Sequence, residues 1–392
     1  MTHYEHLIIG GGMTADAAVA GIREINPSTT IGLFSAENHP PYNRPPLSKG
    51  LWKGKPIEKI YRKASREGVD LHLGQVIQAI NPSAHQVTDD LGASYTYGKL
   101  LLATGGSPRR LPFGGDQVMY FRNLDDYFHL QQLVEKGGRF GVIGGGFIGS
   151  EIAAILAGKS QAVTMLFPEE SIAARLFPAD LAKYVTDDYR QRNVEVLTGE
   201  MVSGIDANGS ELAIHTQSGK EIHVDHIIAG LGIKPNITLA ESAGITVADG
   251  IVVDDHLHTN MVDIYAAGDV AYFHNKLLDK WMRVEHEDNA LSMGKLAGRN
   301  MAGDNASYDH LPMFYSDLFD IGYEAVGELN PDLETFSDWQ EPYQKGVVYY
   351  LNHGRVRGVL LWNVWDRVEA ARSLIAAPDP IKPEHLRGRI TG

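Results

Sequence analysis

The stretch Phe140-Gly-Val-Ile-Gly-Gly-Gly-Phe-Ile-Gly-Ser-Glu151 decides the fold. An apolar strand runs into Gly144, Gly146 and Gly149, and a helix of small and apolar residues is expected from 150 to about 157, stopped by Gly158. This is the G-x-G-x-x-G turn that seats a dinucleotide pyrophosphate. Gly144 permits the tight turn, Gly146 lets the backbone approach the phosphates, and Gly149 lets the helix pack on the strand. The helix N-terminus offers N–H groups and a partial positive charge to the anion. One such motif is weak evidence, but the N-terminus carries another. Residues 4–9 read as a buried strand, Gly10, Gly12 and Ala15 form G-x-G-x-x-A, and an Ala-rich helix is expected from 16 to about 25. A second strand at 30–34 leads to Glu37, an acid placed to accept hydrogen bonds from ribose hydroxyls.

The two halves share one plan. Short strands at 69–73, 76–81, 86–88 and 94–97, with a hairpin at Asp90-Leu-Gly92, precede the buried strand Lys99-Leu-Leu-Leu-Ala-Thr-Gly-Gly106. In the second half, strand 162–167 is followed by Glu169 and Glu170, matching Glu37. Strands at 194–197, 201–206, 212–216 and 221–224 then lead to Asp225-His-Ile-Ile-Ala-Gly-Leu-Gly232, which matches residues 99–106. The pattern is an internal duplication of one dinucleotide-binding module. Between the first acid and the strands lies His39-Pro-Pro-Tyr-Asn-Arg-Pro-Pro-Leu-Ser-Lys-Gly-Leu-Trp52, whose four prolines exclude a helix interior. Its cations Arg44 and Lys49 sit on a stiff frame. Later, strand 264–267 ends in Gly268-Asp269, a place where a carboxylate binds sugar hydroxyls or caps a helix, and a helix is expected at about 288–301. From about Ser307 the chain turns aromatic-rich. A hairpin of 346–351 and 356–362 around Asn352-His-Gly354 and a helix at 366–376 make a third, α+β unit. The tail 377–392 has three prolines and reads as a surface arm.

Bulk composition narrows the function. The 392 residues suffice for two or three domains. No apolar run approaches the ~20 residues of a membrane span, and a cytoplasmic location is expected. A net charge of −14 disfavours nucleic-acid binding. The chain has no cysteine, so a redox-active dithiol, thiolate metal ligation and iron–sulfur ligation are excluded. Redox chemistry must then belong to a bound cofactor.

These residues resemble the FAD-dependent pyridine nucleotide oxidoreductases of the glutathione reductase superfamily. The similarity is strongest to the branch of apoptosis-inducing factor, rubredoxin reductases and ferredoxin reductases. It is carried by Pro41-Tyr-Asn-Arg-Pro-Pro-Leu-Ser-Lys49, Ala103-Thr-Gly-Gly106, residues 144–151, Ala267-Gly-Asp269 and Arg283-Val-Glu-His-Glu-Asp288. Met313-Phe-Tyr-Ser-Asp-Leu318, Gly322-Tyr-Glu-Ala-Val-Gly327 and Gly358-Val-Leu-Leu-Trp-Asn-Val364 complete it. The resemblance implies an α/β fold with two Rossmann-like dinucleotide-binding domains and a C-terminal α+β domain at 307–392. The FAD domain, 1–107 and 235–306, would be interrupted by an NAD(P)H domain at 108–234. FAD would be held by Gly10, Gly12, Ala15, Glu37, Arg44, Ala103, Thr104, Gly105, Gly268 and Asp269, with Glu285 and His286 at a helix start near the flavin. NAD(P)H would be held by Gly144, Gly146, Gly149, Glu169 and Gly232. Glu169 favours NADH, because a carboxylate repels a 2′-phosphate, while Arg175 leaves NADPH open. Lys49 would pair with Glu151 beside the flavin, and Phe147 would lie against a reacting ring. Tyr315 stands where apoptosis-inducing factors commonly carry Trp. The implied partners are NADH and an electron acceptor (ferredoxin, rubredoxin, quinone or oxygen), with a homodimer left open. The other reading is a slow NADH-responsive redox sensor.

Overall fold

The computed structural model describes residues 1–63, 68–209 and 211–391. Strand β1 (Thr2–Ile9) passes through the first glycine turn into helix α1 (Met13–Ile25). The helix starts three residues before the expected Asp16, because the turn supplies its own cap: Gly12 is extended at φ −92°, ψ −167°. Strands β2 (Ile31–Ser35) and β3 (Asp70–Leu73) follow, then β4 (Ile77–Asn81), β5 (Gln86–Asp89) and β6 (Ser94–Leu102). Residues 94–97 and 99–102, expected as two strands, are one. Its start pairs antiparallel with β5 while its length pairs parallel with β1.

The chain continues through β7 (Val118–Tyr120), α2 (Leu124–Lys136), β8 (Arg139–Ile143), α3 (Phe147–Gly158) and β9 (Ala162–Phe167). Helix α4 (Ala179–Gln191), β10 (Val194–Thr198), β11 (Val202–Asn208), β12 (Glu211–Thr216), β13 (Glu221–Val224) and β14 (His226–Ala229) come next. Then β15 (Ile264–Ala266) and α5 (Glu287–Met301) precede β16 (Met313–Leu318), β17 (Ile321–Gly327), β18 (Glu334–Glu341), β19 (Lys345–Asn352), β20 (Arg355–Trp362) and α6 (Val368–Ala376).

These elements form two compact units. The first holds Met1–Pro45, Lys55–Ser107 and Lys234–Pro312, and the second holds Pro46–Gly54, Pro108–Ile233 and Met313–Gly392. In the first unit a parallel sheet runs β3-β2-β1-β6-β15. In the second a parallel sheet runs β10-β9-β8-β14-β7, the same order except at the edge, where the fifth strand comes first in the chain (β7) instead of last (β15). Each has an antiparallel three-stranded companion, β4-β5-β6 and β11-β12-β13. Leu102 lies beside Ile9, and Ala229 lies beside Ile143. Residues 99–105 therefore correspond to 226–232, one position away from the match expected by sequence.

In the first unit α1 and α5 pack backbone to backbone. A Cβ on Gly294 would run into the Thr14 carbonyl, one on Gly298 into the Ala18 carbonyl, and one on Gly21 into the Lys295 carbonyl. Overpacking of this kind costs ~1–3 kcal/mol, so glycine holds these positions.

The C-terminal part of the second unit is an antiparallel sheet ordered β16-β17-β20-β19-β18. Trp362 stacks on Tyr323 at 5.7 Å, and Phe177 meets both edge-on. The tail is not a free arm. Leu386 and Ile390 are buried, the Gly388 N–H donates to Asp338 at 2.7 Å, and the Ile381 N–H donates to the Gly354 carbonyl at 2.8 Å. Residue 392, its last, lies outside the described residues. Among the described residues, no helix is long and apolar enough to cross a membrane.

Candidate functional site

Each unit carries a candidate site around a glycine turn. In the first, Gly10 has φ +125°, and a Cβ there would collide with the Ala103 carbonyl. A Cβ on Gly12 would meet nothing within 4 Å, and no side chain caps the start of α1. The turn is thus closed on its protein side and open above the helix N-terminus, a cradle that fits a pyrophosphate. Ala15 is fully buried beneath it.

Beyond β2, the Glu37 carboxylate accepts from Tyr42 Oη at 2.6 Å and from the Arg44 guanidinium. Burial opposes the Arg44 charge, but Tyr42, Glu37 and Asp269 outweigh it and hold the guanidinium above its usual range. Gly268 has φ +78°, and a Cβ on it would strike the Thr14 hydroxyl, so the turn carrying Asp269 crosses the start of α1. Arg283, its side chain 7% exposed, donates to the Asp269 carbonyl at 3.2 Å and to Glu285 at 2.5 Å. His286 caps α5, where burial pulls its imidazole down to about 4 against the opposing charges of Asp269 and Asp288. It is neutral at neutral pH.

Thr104 and Gly105 engage Asn236. The Thr104 hydroxyl donates to the Asn236 carbonyl at 2.9 Å, and Asn236 returns its amide to the Thr104 carbonyl at 2.8 Å. The Asn236 N–H reaches the Gly105 carbonyl at 3.0 Å.

In the second unit Gly144 has φ +114°, and a Cβ there would collide with the Gly230 carbonyl. Gly146 again opens onto space, with nothing within 4 Å of an added Cβ. It caps α3 at φ −85°, ψ −165°, nearly the conformation of Gly12. At Gly149 a Cβ would clash with the Gly144 carbonyl, so this helix packs on its turn more tightly than α1 does. Glu169 pairs with Arg175 at 2.5 Å, and the arginine side chain is 83% exposed. The Gly232 carbonyl accepts from the Arg109 N–H at 2.9 Å.

The second unit also assembles the buried ion pair. Glu151, on α3, is 5% exposed at its side chain and takes Lys49 on one oxygen. Ser48 donates to its other oxygen at 2.5 Å, and Ser316, on β16, donates to the oxygen shared with Lys49. Lys49 Nζ lies 5.7 Å from the centre of the Tyr315 ring. The loop holding Lys49 is fixed by Trp52, whose indole N–H donates to the Leu47 carbonyl at 2.8 Å and whose ring meets Tyr127 edge-on. Phe147, the first residue of α3, meets Phe314 edge-on at 5.3 Å. One ammonium and two hydroxyls thus meet the Glu151 carboxylate at a buried point where α3, a proline-fixed loop and the C-terminal sheet converge.

Comparison with known proteins agrees with this geometry. Residues 4–294 match the family model described as pyridine nucleotide-disulphide oxidoreductase. The chain belongs to the pyridine nucleotide-disulphide oxidoreductase family. Residues 297–341 and 336–377 match the C-terminal domain of mitochondrion-associated apoptosis-inducing factor. The chain is 33% identical to apoptosis-inducing factor 1 of Dictyostelium discoideum over 95% of its length and 78% of that protein. It is 31% identical to putidaredoxin reductase of Pseudomonas putida over 97% of its length and 93% of that protein. The reductase chain of a covalent putidaredoxin reductase–putidaredoxin complex superposes with a TM-score of 0.91 at 29% identity, covering 98% and 96% of the two chains.

As a pyridine nucleotide-disulphide oxidoreductase, the protein is an FAD- and NAD(P)H-dependent enzyme that delivers electrons to an external acceptor. It departs from the family's name in lacking every cysteine. Three partners of the site escaped the sequence reading: Ser48 and Ser316 on Glu151, and Tyr42 on Glu37. All three lie inside stretches that carried the resemblance, so their position was visible though their bonds were not. Asn43 accepts from Arg62 at 2.7 Å, and Arg62 also holds the buried Asp16 of α1.

Proposed function

We propose that the protein oxidises NADH and passes the electrons through FAD to a small iron–sulfur protein of the ferredoxin type. The observation that carries this is the pair of open glycine cradles in a chain without cysteine. Two nucleotides can be seated, and no internal dithiol can take the electrons onward. The acceptor class is supported by putidaredoxin reductase and by the ferredoxin reductase subunit of a 5,5'-dehydrodivanillate O-demethylase from Sphingobium sp., 33% identical over 91% of this chain.

In this reading residues 1–107 and 235–306 form the FAD domain, 108–234 the NADH domain and 307–392 the C-terminal domain. Gly10, Gly12 and Ala15 seat the FAD pyrophosphate, Glu37 takes the ribose hydroxyls with Arg44 beside it, and Asp269, Glu285 and His286 line the remainder. Gly144, Gly146, Gly149 and Gly232 seat NADH, and Glu169 selects it over NADPH by repelling a 2′-phosphate. FAD held by these residues would supply a two-electron hydride acceptor for the nicotinamide and a donor of single electrons for the acceptor protein. Lys49 supplies the positive charge that stabilises the reduced cofactor, Glu151 holds Lys49, and Phe147 and Tyr315 provide ring surfaces. The site of action is the cytoplasm.

The test mixes the protein anaerobically with NADH or NADPH in a stopped-flow spectrometer. Flavin bleaching within milliseconds with NADH, and rapid reoxidation by an added ferredoxin, is the expected result. Slow bleaching with a long-wavelength band that persists in air would instead favour the redox-sensing reading, to which the apoptosis-inducing factor match at 297–341 and 336–377 lends support.

A further inference from the structure

We infer that Ser316 is a positioning residue that lets Lys49 leave Glu151 when the bound cofactor becomes negatively charged; this rests on the reading just given. Glu151 is nearly sealed from water, and a buried carboxylate that loses its donors is costly. Lys49 therefore cannot serve both Glu151 and a new anion unless other donors remain on the carboxylate. Two do. Ser48 holds one oxygen and Ser316 the oxygen shared with Lys49. Tyr323 is the cross-strand neighbour of Ser316. Burial and the Glu151 charge hold the Tyr323 phenol well above its usual range, so it keeps its proton. Trp362, Phe177 and Phe314 pack around its ring and fix it in place. The Ser316 hydrogen bond to Glu151 thus joins the C-terminal sheet to α3.

Removing the Ser316 hydroxyl leaves Glu151 more dependent on Lys49, and less positive charge is free for the reduced cofactor. The measurement is the flavin midpoint potential of the holoenzyme by anaerobic spectroelectrochemistry. In Ser316→Ala the reduced form should lose about tenfold in its equilibrium with the oxidised form, about 30 mV downward for a two-electron couple. Ser316→Thr, which keeps the hydroxyl, should restore the parent potential. Ser48→Ala, which removes the donor on the other carboxylate oxygen, should shift it the same way, and it carries the comparison alone if Ser316→Ala fails to retain flavin. An unchanged or raised potential in Ser316→Ala, or a Ser316→Thr shift equal to it, would overturn the inference while leaving the proposed activity intact. A parent protein that binds no flavin, or whose flavin NADH does not reduce, would overturn both.

Discussion

The two glycine modules share four parallel strands in the same order and almost the same turn, yet they hold the acids beyond their second strands differently. Glu37 is clamped from within its own unit by Tyr42 and by an Arg44 whose charge is reinforced by Asp269. Glu169 has a largely exposed arginine for its partner. A preorganised acid loses little freedom when a ribose arrives and suits a resident cofactor. An acid whose partner lies in solvent can be remade at each turnover and suits a nucleotide that comes and goes. The third motif position fits this. Ala15 fills the space under the first turn, while the second needs Gly149 because helix and turn touch there.

The largest test exchanges the first glycines. Gly10→Ala should abolish flavin retention, read as loss of visible absorbance per protein. Gly144→Ala should keep the flavin and raise the KM for NADH by about 100-fold or more, since both positions combine a positive φ with a carbonyl clash. Flavin loss from Gly144→Ala would break the assignment of resident and visiting nucleotide. A smaller effect is expected at the open acid. Glu169→Gln should lower the ratio of kcat/KM for NADH over NADPH about tenfold, chiefly through KM. An unaltered ratio would remove Glu169 from the selectivity of the site.

The smallest effect concerns a position that the two sheets fill differently. By register, His6 in β1 corresponds to Phe140 in β8. His6 is buried, its Nδ1 has no partner among the described residues, and burial lowers its imidazole to about 4. The unfolded chain takes up this proton near 6.5 and the folded chain only near 4. His6 therefore makes the fold lose stability as pH falls through that window. His6→Phe should flatten the acid side of the stability profile by on the order of 1 kcal/mol in urea titrations, and an unchanged slope would show that other groups set it.

What the sequence revealed follows from how local each constraint is. The glycine turns were legible because positive φ and backbone collisions act within a few residues or against the adjoining strand. The parallel sheets followed from those turns. Helices α2 and α4 were passed over although both left a trace: Asn123 and Asp126 form a capping box, and Leu181, Ala182, Val185 and Tyr189 make a buried stripe. The tail misled because its prolines are local while its anchors, Leu386 and Ile390, are explained only by a distant sheet. Lys49 and Glu151 were paired by resemblance, but Ser316 lies 165 residues from Glu151 and nothing near either residue in the chain announces their bond.

The glycine-to-backbone seam between α1 and α5 also sets a timetable. The two helices are about 260 residues apart in the chain, and neither can cover its seam before the other has been made. At roughly 5–20 residues per second, α1 leaves the ribosome roughly 13–50 s before its partner. During that interval β7 to β14 emerge with their own parallel sheet complete. The module written second can therefore be finished first, and the N-terminal one waits, half-built and exposed, as the client that a chaperone would meet.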